Sequence, residues 1–496
     1  MQRFPAVNYD FVEYVPAQDF IGGKWTEAAP GTERLAVINP RFNRAMSSTP
    51  MGGAAEIDAA VKAARVAQPA WGALPIRERG QILYKARELM LRDLEELSWL
   101  VSHENGKCYD QAKAEVLKGI ECVEYGCLLP NLAAGAKLEV SRGVTCEDVY
   151  CPVGVVAGIT PFNFPFMVPL WMLPQALMGG NAFILKASEQ VPLSAMKIAA
   201  LFQEAGLPDG ILNVVNGGRA AVEAITDHPG ISAVAFVGST KVAKLVYGRG
   251  ATEGKRMLCL GGAKNHLIVV PDADVHLTAD NIVASFTGCA GQRCMAASVL
   301  IAVGDVDHII AEVAERAAKI RPGVNMGAIT SQASVERITN YINGAEALGA
   351  TVLVDGRSRE GSTPDGLWLG ATVLDHVTPD MPAGCEEIFG PVLSIIRVDN
   401  LEQAIAIENA NPYGNASSVY TTSGEVARRV MERVEAGMCG VNVGVPVPRE
   451  PFGFAGWNHS KFGAGNITGW DGYRFWTRIR KITSKWALQT DQTWMS

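Results

Sequence analysis

Short apolar segments alternating with amphipathic helical patterns constrain the fold of this chain more than any other feature. Residues 153–159 and 182–185 are continuous apolar runs of strand length, whereas 57–67 and 76–100 carry the apolar spacing of helices. Strands that are buried on both faces and separated by helices belong to parallel sheets. The sequence therefore predicts an α/β fold, with further strands at 213–215, 233–237 and 266–270.

Length and charge narrow the class of protein further. A chain of 496 residues, 48% of them hydrophobic, exceeds the size at which one hydrophobic core stops growing, so two or more domains are expected. The net charge of −7 provides no basic footprint for nucleic acid or an anionic membrane. We expect small-molecule ligands and a homo-oligomer, a dimer or tetramer, as the partners.

The cysteine and apolar patterns point to the cytoplasm. Ten cysteines without paired spacing in so long a chain do not predict a disulfide framework, and the first residues lack the continuous apolar segment of a secretory signal. The richest apolar stretch, 162–178, is interrupted by three prolines, so no membrane span is predicted. The seven histidines have no paired metal-ligand spacing, and no metal site is expected.

Cys294 is the first candidate for chemistry. It lies in the small-residue segment 288–296 and directly follows Arg293, a cation that would favour the thiolate. A nucleophilic thiol needs such an open, electropositive setting. A cysteine in a run of glycine and alanine is also a common small core residue, so this segment alone leaves both interpretations open.

Four other segments accompany the thiol in a fixed order. They read GITPFNFP at 158–165, FVGST at 236–240, LGGAKNH at 260–266 and EEIFGPV at 386–392. In this order and at these separations they resemble the aldehyde dehydrogenase superfamily. The resemblance extends from about residue 20 to 486, nearly the whole chain.

The resemblance implies an aldehyde dehydrogenase-like architecture: a Rossmann-type NAD-binding domain, an α/β catalytic domain and a small β oligomerisation element. The implied NAD-binding domain comprises 1–121 and 145–258, and the catalytic domain 259–450. Residues 451–475 would return to the cofactor domain. The oligomerisation element would comprise 122–144 and 476–496.

The implied cofactor is NAD. Ser239 follows an apolar strand and precedes a helical pattern, so amide groups at a helix N-terminus would face a diphosphate, although an ordinary N-cap has the same sequence. Glu189 would accept from the ribose hydroxyls and repel a 2′-phosphate; a solvated loop charge is the alternative. The resemblance assigns cofactor contacts to Thr160, Phe162, Lys186, Ser188, Glu189, Gly238, Ser239, Val242, Leu260, Glu387 and Phe389.

The same resemblance assigns the catalytic roles. Cys294 would attack the aldehyde carbon, and the side-chain amide of Asn163 with the backbone N–H of Cys294 would donate to the oxyanion. A structural Asn capping a turn is the alternative for Asn163. Hydride transfer to NAD would leave a thioester on Cys294.

Cys259 marks a departure from the common pattern of the superfamily. Hydrolytic members carry a Glu two residues before the Gly-Gly at 261–262, where this chain has Cys259. A thiol is a poor substitute for a carboxylate base. The chain shares this absence with the branch of coenzyme A-acylating methylmalonate-semialdehyde dehydrogenases, which implies coenzyme A as co-substrate and an acyl-CoA product.

Two cations are the candidates for substrate recognition. That branch holds the substrate carboxylate with two arginines, which correspond to Arg293 and to Lys118 in this chain. Lysine keeps the charge but loses the bidentate geometry, and a solvated helix charge is the alternative interpretation of Lys118.

Three hypotheses therefore remain open at the level of sequence. The first is an acylating, NAD-dependent dehydrogenase of a (methyl)malonate-semialdehyde-like substrate. The second is a hydrolytic, NAD-dependent aldehyde dehydrogenase with a nonstandard base. The third is a catalytically idle relative with a binding or structural role.

Overall fold

The computed structural model describes residues 8–358 and 360–486. Its helices are α1 (Ala54–Ala73), α2 (Ile76–Arg92), α3 (Leu94–Asn105), α4 (Tyr109–Leu132), α5 (Met167–Met178), α6 (Leu193–Glu204), α7 (Arg219–Asp227), α8 (Thr240–Thr252), α9 (Val275–Thr287), α10 (Asp307–Ala317), α11 (Gln332–Ala347), α12 (Pro382–Cys385), α13 (Leu401–Ala410), α14 (Gly424–Met431) and α15 (Gly469–Phe475). A single 3₁₀ turn, Gly288–Gly291, follows α9 directly.

The strands are β1 (Asp19–Ile21), β2 (Lys24–Thr26), β3 (Arg34–Asn39), β4 (Arg44–Pro50), β5 (Ala136–Ser141), β6 (Val144–Pro152), β7 (Val155–Ile159), β8 (Ala182–Lys186), β9 (Leu212–Val214), β10 (Ala233–Val237), β11 (Arg256–Leu260), β12 (Asn265–Val269), β13 (Ala297–Val303), β14 (Thr351–Val354), β15 (Thr372–Asp375), β16 (Val392–Val398), β17 (Tyr413–Gly414), β18 (Ala416–Tyr420), β19 (Met438–Val441), β20 (Trp457–Asn458), β21 (Lys461–Gly463) and β22 (Thr477–Lys485).

The first large sheet has eight strands in the order β2-β1-β9-β8-β7-β10-β11-β21. Its five central strands are parallel, and they are almost fully buried because helices cover both faces. The chain leaves β7 in one direction through β8 and β9 and in the other through β10 and β11. This reversal opens a crevice at the carboxyl ends of β7 and β10, the usual ligand position in an open α/β sheet.

The second large sheet has seven strands in the order β14-β15-β16-β13-β12-β18-β19, all parallel except β14. Only residues 261–264 connect β11 of the first sheet to β12 of the second. The carboxyl end of β11 therefore lies close to the amino end of β12. Residues that precede the strands of the second sheet are thereby brought toward the crevice of the first.

A third sheet, in the order β22-β6-β5, is antiparallel and largely solvent-exposed. Its strands β5 and β22 lie within 122–144 and 476–496, the two segments expected to form the oligomerisation element. Helix α4 runs without interruption across the predicted boundary after residue 121. The domain bounds stay a prediction, and their parts at 1–7 and 487–496 lie outside the described residues.

The α/β class is confirmed, and the five predicted strands all form within two residues of their expected positions. The expected helix at 76–100 is instead two helices, α2 and α3, separated by Asp93. Asp93 leaves the helical region at φ −99° and ψ 14°, and its carboxylate binds Arg92 and Lys197. The spacing of apolar residues does not reveal this break, because the apolar residues before and after Asp93 both have helical spacing.

Candidate active site

Cys294 lies between the 3₁₀ turn and β13. In that turn Cys289 and Ala290 adopt left-handed backbone angles with φ of 53°, which is uncommon for residues other than glycine. The carbonyl oxygen of Cys294 accepts from the side-chain amides of Asn265, at 2.7 Å, and Asn415, at 3.0 Å. Asn265 begins β12 and Asn415 directly precedes the neighbouring strand β18, so the second sheet holds the backbone of the candidate nucleophile.

Cys294 lines a cavity of about 580 Å³. Apolar side chains form much of its lining, including Phe164, Trp171 and Phe454, and both predicted substrate cations, Arg293 and Lys118, also line it. Ligand pockets typically combine such an apolar lining with a few polar groups. The structure therefore brings the predicted nucleophile and the predicted substrate residues together around one space.

Asn163 is buried, and its side-chain amide donates to the carbonyl oxygen of Gln292 at 3.0 Å. An amide nitrogen carries two N–H donors, so this bond leaves one unused. The loop that holds Asn163 is itself held in place by buried charged side chains. A buried Lys107–Glu115 ion pair contacts it, with Lys107 donating to the carbonyl of Asn163 and Glu115 accepting from the backbone N–H of Phe166.

The surroundings of Cys294 hold its thiol in the neutral form. Burial and the nearby charge of Glu387 raise the pKa of Cys294 to about 12, and the backbone N–H groups and Arg293 lower it only in part. Arg293 favours the thiolate, as predicted, but desolvation is the larger effect and leaves the pKa raised.

Arg293 is anchored to the end of α9. Its Nη2 donates to the carbonyl oxygens of Ala284 and Ser285 in the last turn of the helix, at 2.6 and 2.9 Å, and the Ala284 carbonyl also accepts from the backbone N–H of Gly288. The guanidinium rests on Gly288, where a Cβ atom would lie 2.2 Å from Nη2. Its Nε is buried and has no hydrogen-bond partner among the described residues.

The predicted cofactor residues at β7 and β8 lie side by side, because these strands are neighbours in the first sheet. The backbone N–H of Thr160 donates to the carbonyl of Lys186 at 3.1 Å. The ammonium of Lys186 binds the carboxylate of Glu189 at 2.9 Å, with Lys186 buried and Glu189 partly exposed. The Ser188 hydroxyl accepts from the backbone of Gln190, so part of its capacity stabilises the turn.

The segment after β10 offers open backbone donors. Ser239 is the N-cap of α8, a helix of 13 residues, and its exposed side chain makes no capping hydrogen bond. The first amide groups of the helix are therefore available to an anion. Gly238 donates to the carbonyl of Leu260 at 3.1 Å, and Val242 exposes its side chain on the first turn of the helix.

Glu387 lies beside the link between the two sheets. Its Oε1 accepts from the backbone N–H of Ala263 at 2.9 Å, and Gly262 approaches so closely that a Cβ atom would lie 2.3 Å from Oε2. Burial raises the pKa of Glu387 to about 7, with the Ala263 N–H and the charge of Lys264 opposing this rise. Nearby, Phe389 packs edge-on against Phe162 at 5.9 Å between ring centroids.

Cys259 is fully buried in β11, paired with Phe236 on one side and Phe462 on the other. Burial raises its pKa well above the ordinary value of a thiol, and no charged group opposes this effect. A neutral thiol in such a setting does not accept a proton from water near pH 7. The expectation that Cys259 is no substitute for a carboxylate base thus has a physical reason in its surroundings.

The sequence analysis did not predict several polar residues of the site. Glu450 lies on the cavity wall and binds Lys118 at 2.7 Å, although 332 positions separate the two residues. Lys107 and Glu115 were also missed, because no periodicity or motif marks a pair that meets across a loop. Among the described residues no three His, Cys, Asp or Glu side chains come together as metal ligands would.

Two α/β sheets that meet at a partly buried cysteine define a class of protein, and the comparisons with known proteins identify that class. The aldehyde dehydrogenase family model matches residues 25–482, and the chain belongs to this family. The aldehyde dehydrogenase-like fold expected from the sequence is therefore confirmed.

The similar proteins are named for particular substrates. Malonate-semialdehyde dehydrogenase 2 of Geobacillus kaustophilus is 42% identical over 95% of this chain and 98% of the relative. Malonate-semialdehyde dehydrogenase of Halalkalibacterium halodurans has the same identity and coverage. A crystal structure of a putative methylmalonate-semialdehyde dehydrogenase from Sinorhizobium meliloti, complexed with NAD, has a TM-score of 0.94 at 40% identity and covers 96% of this chain and 99% of that one.

Proposed function

We propose that the protein oxidises a short aldehyde bearing a carboxylate, with NAD as hydride acceptor, through a thioester on Cys294. The observation that carries this proposal is one cavity that Cys294, Arg293 and Lys118 all line. The names of the similar proteins, malonate- and methylmalonate-semialdehyde dehydrogenases, support the same class of substrate.

The residues of the crevice fit NAD. Open amide groups at the start of α8 suit a diphosphate, and the carboxylate of Glu189 suits ribose hydroxyls and disfavours a 2′-phosphate. Glu387, held by Ala263 and closely approached by Gly262, would bind the second ribose, and Phe389 would border the nicotinamide. When bound, NAD supplies the acceptor for the hydride.

The protein's own groups perform the remaining steps. The thiol of Cys294 would release its proton to solvent as its sulfur bonds to the aldehyde carbon. The carbonyl electron pair would move to the oxygen, which would accept from the free N–H of Asn163 and the N–H of Cys294. Loss of hydride from that carbon leaves a thioester. Arg293 and Lys118 would hold the carboxylate of the substrate so that the aldehyde carbon faces the sulfur.

Release of the acyl group is proposed to use coenzyme A. The thiol of coenzyme A would form the new thioester while Cys294 leaves, which requires no water-activating base at position 259. A malonate-like substrate would also lose its carboxylate as CO₂ and give acetyl-CoA, or propionyl-CoA from methylmalonate semialdehyde. The hydrolytic alternative needs another base, and Glu387, with its pKa of about 7, is the buried carboxylate to consider.

An aldehyde panel tests the proposal. Malonate, methylmalonate and succinate semialdehydes, propanal and butanal are assayed for NADH formation with and without coenzyme A. We expect the carboxylate-bearing aldehydes to be preferred and coenzyme A to accelerate turnover with formation of acyl-CoA. Fast carboxylate production without coenzyme A, and no acyl-CoA in its presence, would establish the hydrolytic alternative instead.

Location and assembly are proposed on separate grounds. All ten cysteines lie in the described residues and are free, which suits the reducing cytoplasm. Among the described helices none is long and apolar enough to cross a membrane. The third sheet exposes Leu138, Val140 and Ile479, an apolar surface that would support a homo-oligomer, a dimer or tetramer, measurable by light scattering.

A further inference from the structure

An ion pair between Lys118 and Glu450 lines the same cavity as Cys294. Lys118, on α4, binds Oε2 of Glu450 at 2.7 Å and Oε2 of Glu121 at 3.0 Å. The side chain of Glu450 is only 10% exposed and that of Lys118 20%, whereas Glu121 is 41% exposed at the rim. The predicted substrate cation thus already has a carboxylate partner inside the cavity.

The hydrogen bonds of this pair leave capacity unused. An ammonium has three N–H donors, and Lys118 uses two of them on Glu121 and Glu450. Oε1 of Glu450 has only the thiol of Cys122, a weak donor at 3.6 Å. The pair therefore offers one strong donor and one poorly satisfied acceptor next to each other.

A substrate carboxylate alone matches only half of this arrangement. It would accept from Lys118 and approach Arg293, but it would also lie near the negative charge of Glu450. A cationic donor next to that carboxylate would bind the open oxygen of Glu450 and remove the repulsion. The cavity volume of about 580 Å³ lies within the range of sites for drug-sized ligands and leaves room for a tail with more than one polar group.

We propose that Glu450 is a specificity-determining residue that binds an ammonium group on the carbon next to the substrate carboxylate. The preferred aldehyde is then a 2-amino semialdehyde with a zwitterionic tail: its carboxylate binds Arg293 and Lys118, and its ammonium binds Glu450. This inference rests on the proposed function, because it assumes that these two cations hold the carboxylate.

Two aldehydes that differ only in the ammonium group test the inference. Aspartate 4-semialdehyde and succinate semialdehyde share the four-carbon chain, the aldehyde and the carboxylate; butanal lacks both charges. With the wild-type enzyme at pH 7, kcat/KM for aspartate 4-semialdehyde is expected to exceed that for succinate semialdehyde by about 10- to 100-fold, the effect of one charged hydrogen bond.

Glu450→Gln is expected to abolish this preference, because kcat/KM for aspartate 4-semialdehyde should fall at least about 10-fold more than that for succinate semialdehyde. Glu121→Gln is the matched control, because it removes the other carboxylate on the same ammonium but lies at the rim. It should keep the preference. Thermal melting and NAD binding of both variants establish that they fold.

Equal kcat/KM for the two charged aldehydes in the wild type would overturn the inference. So would an equal loss in the two variants, since Glu450 would then act only by holding Lys118. The proposed function fails in a different way: butanal would then be oxidised as efficiently as both charged aldehydes.

Discussion

The side-chain amide of Asn163 donates to the carbonyl oxygen of Gln292 at 3.0 Å, so the candidate oxyanion donor is tied to the loop that carries Cys294. Asn163 follows a strand of the first sheet, and Gln292 precedes a strand of the second. The bond therefore joins the two sheets at the candidate active site. A displacement of one sheet would change the positions of both Asn163 and the loop that carries Cys294.

Replacement of Asn163 by Ala should lower kcat by about 10²- to 10³-fold, the usual effect of removing one oxyanion donor. NAD binding should stay within a few-fold of wild type, because this amide contacts no predicted cofactor position. Steady-state kinetics and NAD titration by fluorescence measure the two effects. A variant with wild-type kcat would leave Asn163 only its structural bond to Gln292.

Replacement of Cys294 by Ala should abolish aldehyde oxidation and leave NAD binding nearly intact, because the sulfur forms the covalent bond to the substrate. Cys289, which also lines the cavity, provides the control. Cys289→Ala should retain turnover. An inactive Cys289→Ala together with an active Cys294→Ala would show that the nucleophile is misassigned.

The raised pKa of Glu387 predicts that ionisation of this carboxyl lowers the free energy of unfolding, and this loss of stability is a cost that depends on pH. Its value of about 7, against an ordinary 4.5, means that the folded protein holds the proton more tightly than the unfolded chain. The cost is absent below pH 4.5, grows as pH rises to 7 and is complete above it, where it reaches about 3 kcal/mol at most.

Glu387→Gln should accordingly stabilise the NAD-free protein at pH 8 and change its free energy of unfolding little at pH 5. Urea unfolding of both proteins at the two pH values measures this difference. The same variant should raise the KM for NAD, since the carboxylate is the proposed ribose ligand. An equal stability difference at both pH values would contradict the raised pKa.

Replacement of Arg293 by Gln should raise the KM for semialdehydes that carry a carboxylate far more than the KM for propanal. Propanal has no group for the guanidinium to bind. Because Arg293 also caps the end of α9, the melting temperature of the variant is measured in parallel. Equal losses for both kinds of aldehyde would mean that Arg293 serves the helix end or the thiol rather than the substrate.

Cys259→Glu should increase turnover without coenzyme A. The wild type is expected to release a burst of about one NADH per active site and then turn over slowly until coenzyme A is added. A carboxylate at position 259 could act as a general base, an effect of about 10² to 10⁴ in favourable geometry. Cys259→Ser is the control for disturbance of the buried strand, and a folded Cys259→Glu without the increase would contradict the prediction.

Sequence patterns predicted the α/β class and the positions of the buried strands, because continuous apolar runs in parallel strands are a local property. The family resemblance, rather than a pattern, placed Arg293 and Lys118 in one set of residues, and both line one cavity in the structure. Arg293 favours the thiolate as predicted, but the net pKa of the thiol could not be predicted from the sequence. It depends on the desolvation of Cys294 and on Glu387, which is distant in sequence.

The pairing of Glu450 with Lys118 could not be predicted from the sequence, for a different reason. It meets Lys118 only because α4 and the segment after β19 converge on the cavity, and neither segment carries a motif for this encounter. The same holds for Lys107 and Glu115, which meet beneath the Asn163 loop. Pairs of this kind follow from tertiary packing, and a single sequence does not encode them in any local pattern.

The pairing of β11 with β21, Leu258 opposite Gly463, has a consequence for how the chain folds. About two hundred residues, with the whole second sheet among them, form a loop whose two ends are adjacent strands of the first sheet. Closing a long flexible loop costs conformational entropy, although each doubling of its length adds only about 0.6 kcal/mol. If the second sheet collapses first, it shortens that loop before β21 docks. The edge of the first sheet would then be among the last parts to form, and the crevice beside it would mature late in folding.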